Sequence, residues 1–262
     1  MSLPMVLPRY PRLRRGLQEL ALILTLYVAY TSSRMFASNA MTPALHRANE
    51  LLHLEELMGL HWERPINKVF EQFELLGLFG SYWYATAHYV VTAVVLIWLY
   101  RLGSGRYVPA RRALVIATLL ALAIYLLAPT APPRFLEGYV DILNLHAADG
   151  WWGADASAPR GVGQLTNELA AFPSLHAGWA LWVAIVVQRN AVRPWVRVLG
   201  WAHCLVTAVV IVGTGNHWIV DAIVGWMVIG AGFLLADRVW HWEQARKMPQ
   251  KGHVPEGCSQ VG

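Results

Sequence analysis

The amino-acid sequence predicts an all-α integral membrane protein with six transmembrane helices, and three observations lead to this fold class. First, 56% of its 262 residues are hydrophobic and only 14% are charged, whereas soluble domains are roughly 45–50% apolar and about 25% charged. Second, six apolar runs are each close to the roughly 17–25 residues that span a bilayer as a helix. Third, lysine and arginine are concentrated in alternate segments between these runs, which indicates sorting across a membrane.

The same composition excludes other classes of protein. A mean hydropathy of +0.39 is too high for a disordered chain, which would be poor in apolar residues and rich in charge. The net charge of +5 could indicate a nucleic-acid partner, but the basic residues are distributed by membrane side, so no nucleic acid is expected. Cys204 lies in an apolar run and Cys258 in a polar tail, so both are predicted to be unpaired.

The six predicted spans occupy residues 17–37, 82–100, 111–128, 174–189, 197–213 and 217–237. The first is too long for a cleaved signal peptide and lacks a convincing small-residue cleavage site, so it is interpreted as a retained helix. Each run is rich in Leu, Val, Ile and Ala, and no stretch shows the alternation of a strand. Residues 17–237 are therefore predicted to form a single membrane domain.

The positive-inside rule sets the orientation. With the N-terminus in the cytoplasm, most of the 21 basic residues lie in cytoplasmic segments. The basic N-terminus, 1–16, and the polar tail, 238–262, are then both cytoplasmic, and two long segments, 38–81 and 129–173, lie outside. This topology predicts a multi-pass protein of the plasma (cytoplasmic) membrane.

The first outer segment is predicted to contain two amphipathic helices that lie along the membrane surface. Thr42 followed by a proline is typical of a helix start, with the threonine as N-cap. Pro65 opens a second helix, whose apolar residues recur on one face. Glu55 and Glu56 fall on the first of these helices and are expected to be solvated.

The second outer segment is an irregular loop that is rich in proline and glycine. A loop of this length inside a compact protein is usually either functional or disordered. Trp151 and Trp152 favour a loop that rests at the interface between membrane and water, where tryptophan is enriched.

Reactive residues fall where these segments meet the spans. Arg134 directly follows the third span, His176 opens the fourth and His217 opens the sixth. In the predicted topology all three lie at the outer membrane face, together with Asp221. Three separate pieces of sequence therefore bring two imidazoles, a carboxylate and a guanidinium to one level.

The spacing of His217 and Asp221, i and i+4, places both on one face of a helix. The carboxylate can accept the proton of one ring nitrogen, which fixes the tautomer and leaves the other nitrogen with a free lone pair. A histidine held in this way is a nucleophile with an orienting partner. The alternative is an interfacial pair that only satisfies the helix end, since an unpaired aspartate inside a membrane helix would cost about 2.5–3.5 kcal/mol.

Ser174 is predicted to be the N-cap of the fourth span, which puts His176 in the first helical turn, where exposed backbone N–H groups favour an anion. A protonated His176 could donate to a leaving-group oxygen as a general acid; the alternative is a hydrated boundary residue.

His88 lies at a similar depth in the second span and is a candidate to support the site from behind, the alternative being a helix–helix hydrogen bond.

Arg134 offers a planar fork of donors suited to phosphate oxygens, and Arg160 is a candidate second arm. Either arginine could instead meet lipid headgroups or solvent. Gly215 and Asn216, just before His217, allow close backbone approach to an anion.

Two histidines and an aspartate could also hold zinc, but a guanidinium and a glycine-rich turn match phosphate better, so neither a metal nor another cofactor is expected.

These motifs resemble those of the type 2 phosphatidic acid phosphatase superfamily, the lipid phosphate phosphatases, over roughly residues 80–237. The best-matched segments are Pro173-Ser174-Leu175-His176 and Gly215-Asn216-His217 through Asp221. The resemblance implies a six-helix membrane core and a phosphohistidine intermediate. It also implies that His217 is the nucleophile, Asp221 its orienting partner and His176 the acid that protonates the leaving group.

The sequence departs from the common pattern of that superfamily in ways that resemble its inositol phosphorylceramide synthase branch. The usual first motif has a lysine and then Arg-Pro, where this chain has Ala131-Pro-Pro-Arg134. Leu175 replaces the glycine of the usual Pro-Ser-Gly-His, and Ile211 stands where an arginine is common. The resemblance therefore implies transfer of an inositol-phosphate-type headgroup as well as plain hydrolysis.

The sequence thus predicts a lipid-phosphate phosphatase or phosphotransferase whose site faces the outer side of the membrane. Its substrate would be a membrane lipid phosphate or phosphodiester, with water or an alcohol as the acceptor. Because His217 would act neutral and His176 charged, a bell-shaped pH profile is expected. The alternative from another class is a lipid transporter or lipid-binding membrane protein with a His/Asp proton relay, although the sequence shows no inverted repeat.

Overall fold

The computed structural model describes residues 41–152 and 168–247, together with five positions nearer the N-terminus, Glu19, Ala21, Leu24, Thr25 and Val28. In residues 240–247 it describes the backbone alone. The helices of these ranges are α1 Met41–Met58, α2 Glu63–Gln72, α3 Glu74–Leu102, α4 Ser104–Leu127, α5 Ile142–Leu145, α6 Leu175–Asn190, α7 Pro194–Gly213 and α8 Ile219–Lys247, with a short 3-10 helix at Pro133–Phe135. Most of the predicted first span, 17–37, lies outside the described residues.

The prediction of an all-α protein is confirmed for the part of the chain that the structure describes. No strand occurs there, and an isolated bridge pairs Thr130 with Ala170. Helices form because the apolar runs follow no two-residue alternation and are interrupted by residues that end helices. Gly103, for example, has a φ of +111° and separates α3 from α4, a conformation that glycine adopts without steric cost.

Four helices among the described residues are long and apolar enough to cross a membrane: Glu74–Leu102, Ser104–Leu127, Pro194–Gly213 and Ile219–Val239. They correspond to the second, third, fifth and sixth predicted spans. The fourth predicted span corresponds to α6, whose 16 residues are fewer than the about 20 that a straight span needs. The helices indicate a membrane protein, while the total of six spans and the sides on which the termini lie stay predictions.

Small residues let the core helices approach closely, as is common between membrane helices. A Cβ atom on Gly225 of α8 would lie 2.2 Å from the carbonyl oxygen of Ser174, and one on Gly232 would lie 2.5 Å from the carbonyl oxygen of Ala113 on α4. The contact at Gly225 brings the start of α6 next to the start of α8, and the contact at Gly232 brings α4 against α8. There, the Ser174 N–H donates to the Asp221 carbonyl oxygen over 2.9 Å.

The described parts of the two segments that are predicted to lie outside the membrane, 38–81 and 129–173, pack over the end of the core where α8 begins. Buried apolar side chains from α1, from both ends of the second outer segment and from the start of α8 form one cluster, which comprises Ala44, Ala48, Ala131, Leu169 and Trp218. Arg47 of α1 donates to the Pro129 carbonyl oxygen over 2.6 Å. The site described below therefore lies beneath a covering layer; that this layer rests on a membrane surface stays a prediction.

Glu55 contradicts the expectation of a solvated surface residue, because its side chain is 0% exposed. Ala44, Ala48 and Glu55 share the face that α1 turns towards the rest of the protein. The Glu56 side chain is 54% exposed, as predicted. The difference between the two neighbours follows from the helical repeat, which places successive residues on different faces.

Three further details differ from the sequence-based expectations. Trp152 is fully buried rather than interfacial and donates from its indole to the Leu143 carbonyl oxygen over 2.9 Å, whereas Trp151 is exposed. Thr42 is not an N-cap, since α1 already includes Met41. The second amphipathic helix begins at Glu63, so that Pro65 lies within its first turn, a position where the missing N–H of proline leaves no intrahelical bond unmade.

Candidate active site

The turn between α7 and α8 is built around Gly215, whose φ is +75°. A Cβ atom at this position would lie 2.9 Å from the Val140 carbonyl oxygen, so both the backbone conformation and the available space require glycine. The backbone N–H groups of Asn216 and His217 donate to the Ile211 carbonyl oxygen over 3.2 and 3.1 Å. The turn therefore has one fixed shape, and it delivers His217 to the start of α8.

We expect Gly215→Ala to destabilise the protein by roughly 1–2 kcal/mol, the cost of the left-handed conformation for a residue with a Cβ atom, and to lower activity by displacing His217. Gly230→Ala is the matched control, because a Cβ atom there meets nothing within 4 Å and the helical position favours alanine by roughly 0.5–1 kcal/mol. Thermal unfolding of the two variants measures the difference. Equal melting temperatures would contradict this account of the turn.

His217 is buried and held by one ring nitrogen. Its Nδ1 lies 2.9 Å from the Ala171 carbonyl oxygen and 3.3 Å from Asp221 Oδ2. Since both of these groups accept hydrogen bonds, the ring proton belongs on Nδ1. Its Nε2 has no hydrogen-bond partner among the described residues, so its lone pair is available for attack.

The predicted pairing of His217 with Asp221 is present, but His217 does not open the helix as expected. The helix begins at Ile219, because Asp221 Oδ2 also accepts the Trp218 backbone N–H over 2.9 Å. This is the back-bonding half of a capping box, in which an acidic side chain reaches the N–H that precedes the helix. A single carboxylate oxygen thus ends the turn and contacts the ring of His217.

His176 lies in the first turn of α6, where Ser174 is the N-cap, as predicted. The Ser174 hydroxyl oxygen accepts from the Ala177 N–H over 3.2 Å. The ring of His176 stacks on Tyr84 of α3 with 4.2 Å between ring centroids and lies 5.5 Å from the ring of His217. Its Nε2 also lacks a hydrogen-bond partner in the part of the chain that the structure describes.

His88 lies directly behind His176. The two ring centroids are 3.9 Å apart, and His88 is buried between α3 and α6. The structure therefore brings together the three histidines that the sequence singled out, His217, His176 and His88, in that spatial order. The ring of Tyr84, stacked on His176, and the tilted ring of His88 restrict the orientation that His176 can take.

Arg134 is tied to the same turn. Its backbone N–H donates to the Gly215 carbonyl oxygen over 2.9 Å, and its guanidinium donates to Asn216 Oδ1 through Nη1. Its Nε lies 3.3 Å from Asp141 Oδ2, with the Arg134 side chain only 6% exposed. Two of its donor groups are thus fixed by protein oxygens, which orients the remaining donors. Arg160, the candidate second arm, lies outside the described residues.

Sequence reasoning missed three acidic residues of this region, Asp141, Glu55 and Glu63. Asp141 fixes Arg134, while Glu55 Oε1 and Glu63 Oε1 accept from the first backbone N–H groups of α8. A signal existed for Glu63, because Glu63, Asn67 and Phe70 recur with helical spacing and share the buried face of α2. Glu55 shares the buried face of α1 with Ala44 and Ala48, but that pattern alone does not indicate a buried carboxyl group.

The described residues contain no group of three or more His, Cys, Asp or Glu side chains arranged to hold a metal ion. The nearest combination is His217 with Asp221, and their contact runs through the Nδ1 nitrogen. The arrangement is therefore one of a free imidazole nitrogen, a second imidazole facing it and a fixed guanidinium. Such a set can perform nucleophilic attack and proton transfer at a bound anion.

Comparisons with known proteins place the chain in a family. Neither the curated proteins nor the solved structures gave a match. The family model of the PAP2 superfamily matches residues 49–235, which is more than half of the chain and includes every site residue described above. The chain therefore belongs to the PAP2 superfamily.

Proposed function

We propose that this protein is a membrane-embedded lipid-phosphate phosphatase or phosphotransferase that works through a phosphohistidine at His217. Membership of the PAP2 superfamily supports phosphatase or phosphotransferase chemistry. The observation that carries the proposal is the state of the His217 ring, with Nδ1 held by Ala171 and Asp221 and Nε2 unpartnered in the described structure. His176 faces it from another helix, as a partner for proton transfer must.

In the first step, His217 Nε2 attacks phosphorus, and the bond between phosphorus and the leaving oxygen breaks. His176 donates a proton to that oxygen from its Nε2, so that the lipid leaves as an alcohol rather than an alkoxide, and the phosphate with any headgroup that it carries stays on His217. The proton on His217 Nδ1 stays in place, and the positive charge that develops on the ring is stabilised by Asp221. The product is a phosphohistidine and a deprotonated His176.

In the second step, water or an acceptor alcohol attacks the phosphohistidine. His176 takes the proton of the attacking hydroxyl group, and the bond between phosphorus and His217 Nε2 breaks. Both histidines return to their starting protonation states. Water gives hydrolysis and an alcohol gives headgroup transfer, which includes transfer of an inositol-phosphate-type headgroup.

The phosphate oxygens are assigned to the Arg134 side of the turn, and Arg160, which lies outside the described residues, is the candidate second cation. Arg134, Gly215 and Asn216 form one hydrogen-bonded unit beside His217. A guanidinium that is already oriented stabilises developing negative charge without reorganising during the reaction. His88 is assigned a supporting role behind His176, and Ser174 keeps His176 at the helix start.

A lipid is the substrate class that best fits the surroundings of this site. The site is formed among helices that are long and apolar enough to cross a membrane, and exposed apolar side chains such as Tyr89, Val90 and Val94 cover the outside of α3. A lipid tail can remain in this apolar environment while the phosphate reaches His217. The proposed site faces the outer side of the plasma membrane.

The test is phosphate release by the purified protein in detergent from a panel of lipid phosphates, with EDTA present throughout. We expect release from at least one lipid phosphate and no stimulation by added divalent cations. If no phosphate appears, the same protein is given a phosphodiester lipid and an alcohol acceptor such as inositol. Failure of both reactions, or strict dependence on a metal, would contradict the proposal.

A further inference from the structure

The start of α8 is held by side chains from three different parts of the chain. The first backbone N–H groups of a helix have no partner within the helix. Here the Trp218 N–H donates to Asp221, the Ile219 N–H to Glu63 Oε1 over 3.1 Å and the Val220 N–H to Glu55 Oε1 over 2.8 Å. Three successive N–H groups are therefore bound by three carboxyl groups.

Glu55 and Glu63 reach this helix from far away in the sequence, since they lie on α1 and α2. Both side chains are 0% exposed. Burying a carboxyl group is costly, even when it is hydrogen-bonded, and a local serine or threonine normally suffices to cap a helix. The two distant carboxyl groups do something that a local cap cannot do, because they fix α8 to the covering layer directly beside His217.

We propose that Glu55 and Glu63 are positioning residues of the active site, which hold the start of α8 so that Asp221 and His217 keep the geometry of attack. The inference rests on the proposed function, since it assigns these residues to the same site. Neither carboxyl group contacts the ring of His217. Each acts through the backbone of the two residues that separate Trp218 from Asp221.

The charges in this cluster favour a protonated Glu55. Burial and the neighbouring carboxyl of Glu63 raise the pKa of Glu55 to about 9 from the ordinary 4.5, and Asp221 adds to the effect. The groups that face Glu55 are Glu63 from α2, Asp221 from α8 and Tyr139 from the second outer segment. A neutral Glu55 still accepts the Val220 N–H with Oε1, and its neutral state avoids a second buried charge beside Glu63.

The first test compares Glu55→Gln with Glu55→Ala. Glutamine keeps the acceptor for the Val220 N–H and, like a protonated carboxyl group, carries no charge, so we expect it to retain kcat within about threefold near neutral pH. Alanine leaves the Val220 N–H unpaired and should lower kcat by about 10–100-fold, the scale of a misplaced reacting group, with KM changed less than about threefold. Glu63→Ala should behave like Glu55→Ala, while the exposed Glu56→Ala is the control and should match wild type.

Activity is measured per folded molecule, on the monodisperse fraction from size-exclusion chromatography, so that a loss of folded protein does not count as a loss of kcat. Rescue by glutamine but not by alanine supports positioning. Wild-type kcat in Glu55→Ala, or an equal loss in the glutamine and alanine variants, would overturn the proposal.

The second test uses pH. Because the pKa of Glu55 is higher in the folded protein, its contribution to stability is complete below pH 4.5 and is lost as the pH rises towards 9. Glu55→Gln removes this titration. We therefore expect the melting temperature of Glu55→Gln to exceed that of wild type by a margin that grows from pH 5 to pH 9. A difference in melting temperature between the two proteins that stays the same from pH 5 to pH 9 would contradict a buried, protonated Glu55.

Hydrogen exchange separates this inference from the proposed function. In Glu55→Ala, amide exchange in a peptide that covers 217–221 should accelerate by about tenfold, as expected for loss of one hydrogen bond, while Glu56→Ala should leave it unchanged. If wild type turns over no substrate, the proposed function fails, but this measurement still decides whether the carboxyl groups hold the helix. Unchanged exchange would overturn the inference whether or not the protein is active.

Discussion

Replacing His217 with alanine is expected to lower turnover by at least about 10⁴-fold, the scale seen when a nucleophile that acts within a catalytic unit is removed. The reason lies in the ring geometry. Ala171 and Asp221 hold Nδ1, and Nε2 is the one nitrogen of this ring that is unpartnered in the described structure. No other described side chain offers an attacking nitrogen at the position of His217 Nε2. The variant should therefore be unable to form the covalent intermediate, even when it folds and binds substrate.

The measurement combines steady-state turnover with trapping of the intermediate from a lipid substrate that carries labelled phosphate. Wild type should hold label that is stable in alkali and lost in acid, as a phosphorus–nitrogen bond requires, and His217→Ala should hold none. His53→Ala is the matched control, because the side chain of His53 is 72% exposed. Label in His217→Ala, or turnover within tenfold of wild type, would show that another group attacks phosphorus.

The spans could be predicted because hydropathy and length alone determine which helices cross a bilayer. Four of the six predicted spans coincide with described helices that are long and apolar enough to cross a membrane. The fourth predicted span coincides with α6, which is shorter than a straight span. Whether so short a helix crosses the membrane depends on how it packs among its neighbours, and the sequence of α6 itself does not contain that information. The residues of the first span lie mostly outside the described part of the chain.

The residues of the candidate site could be selected from the sequence because titratable side chains at the predicted span ends are few; their catalytic roles stay predictions. Their arrangement could not be predicted in full. The spacing of His217 and Asp221 predicted one helical face, yet the Asp221 side chain binds the Trp218 N–H and starts the helix two residues after His217. A helix that begins at His217 and one that begins at Ile219 both satisfy the same i, i+4 pattern, so the pattern alone does not determine where the helix begins.

Glu55 was unpredictable for another reason. A glutamate on an amphipathic helix is normally solvated, and its burial depends on a partner 165 residues away, the Val220 N–H. The cost of burying the Glu55 carboxyl group is offset by the first backbone N–H groups of α8. These groups have no partner within the helix and become available only once the helix forms. Long-range capping of this kind leaves no signal in local spacing beyond the apolar face on which Glu55 falls.

The second large effect is expected at His176, where alanine should lower turnover of a lipid phosphate by about 10²–10⁴-fold, the usual contribution of a general acid. The loss should depend on the leaving group. An alkyl alcohol leaves poorly without a proton, so the first step needs His176. An aryl phosphate with an acidic phenol as leaving group needs no such help, and its burst of phenol release should fall by less than about tenfold in the variant.

This dependence distinguishes proton transfer from support of the site. His176 stacks on Tyr84 and contacts the ring of His88. Its removal therefore also loosens the packing around His217, and that effect would lower both reactions equally. Loss on the lipid phosphate with a retained aryl burst would assign the proton to His176. In that case, steady-state turnover of the aryl phosphate should still be slow, because water must be deprotonated in the second step without the same imidazole. An equal loss in both bursts would instead reduce His176 to a residue that positions His217, and the acid would have to be sought elsewhere.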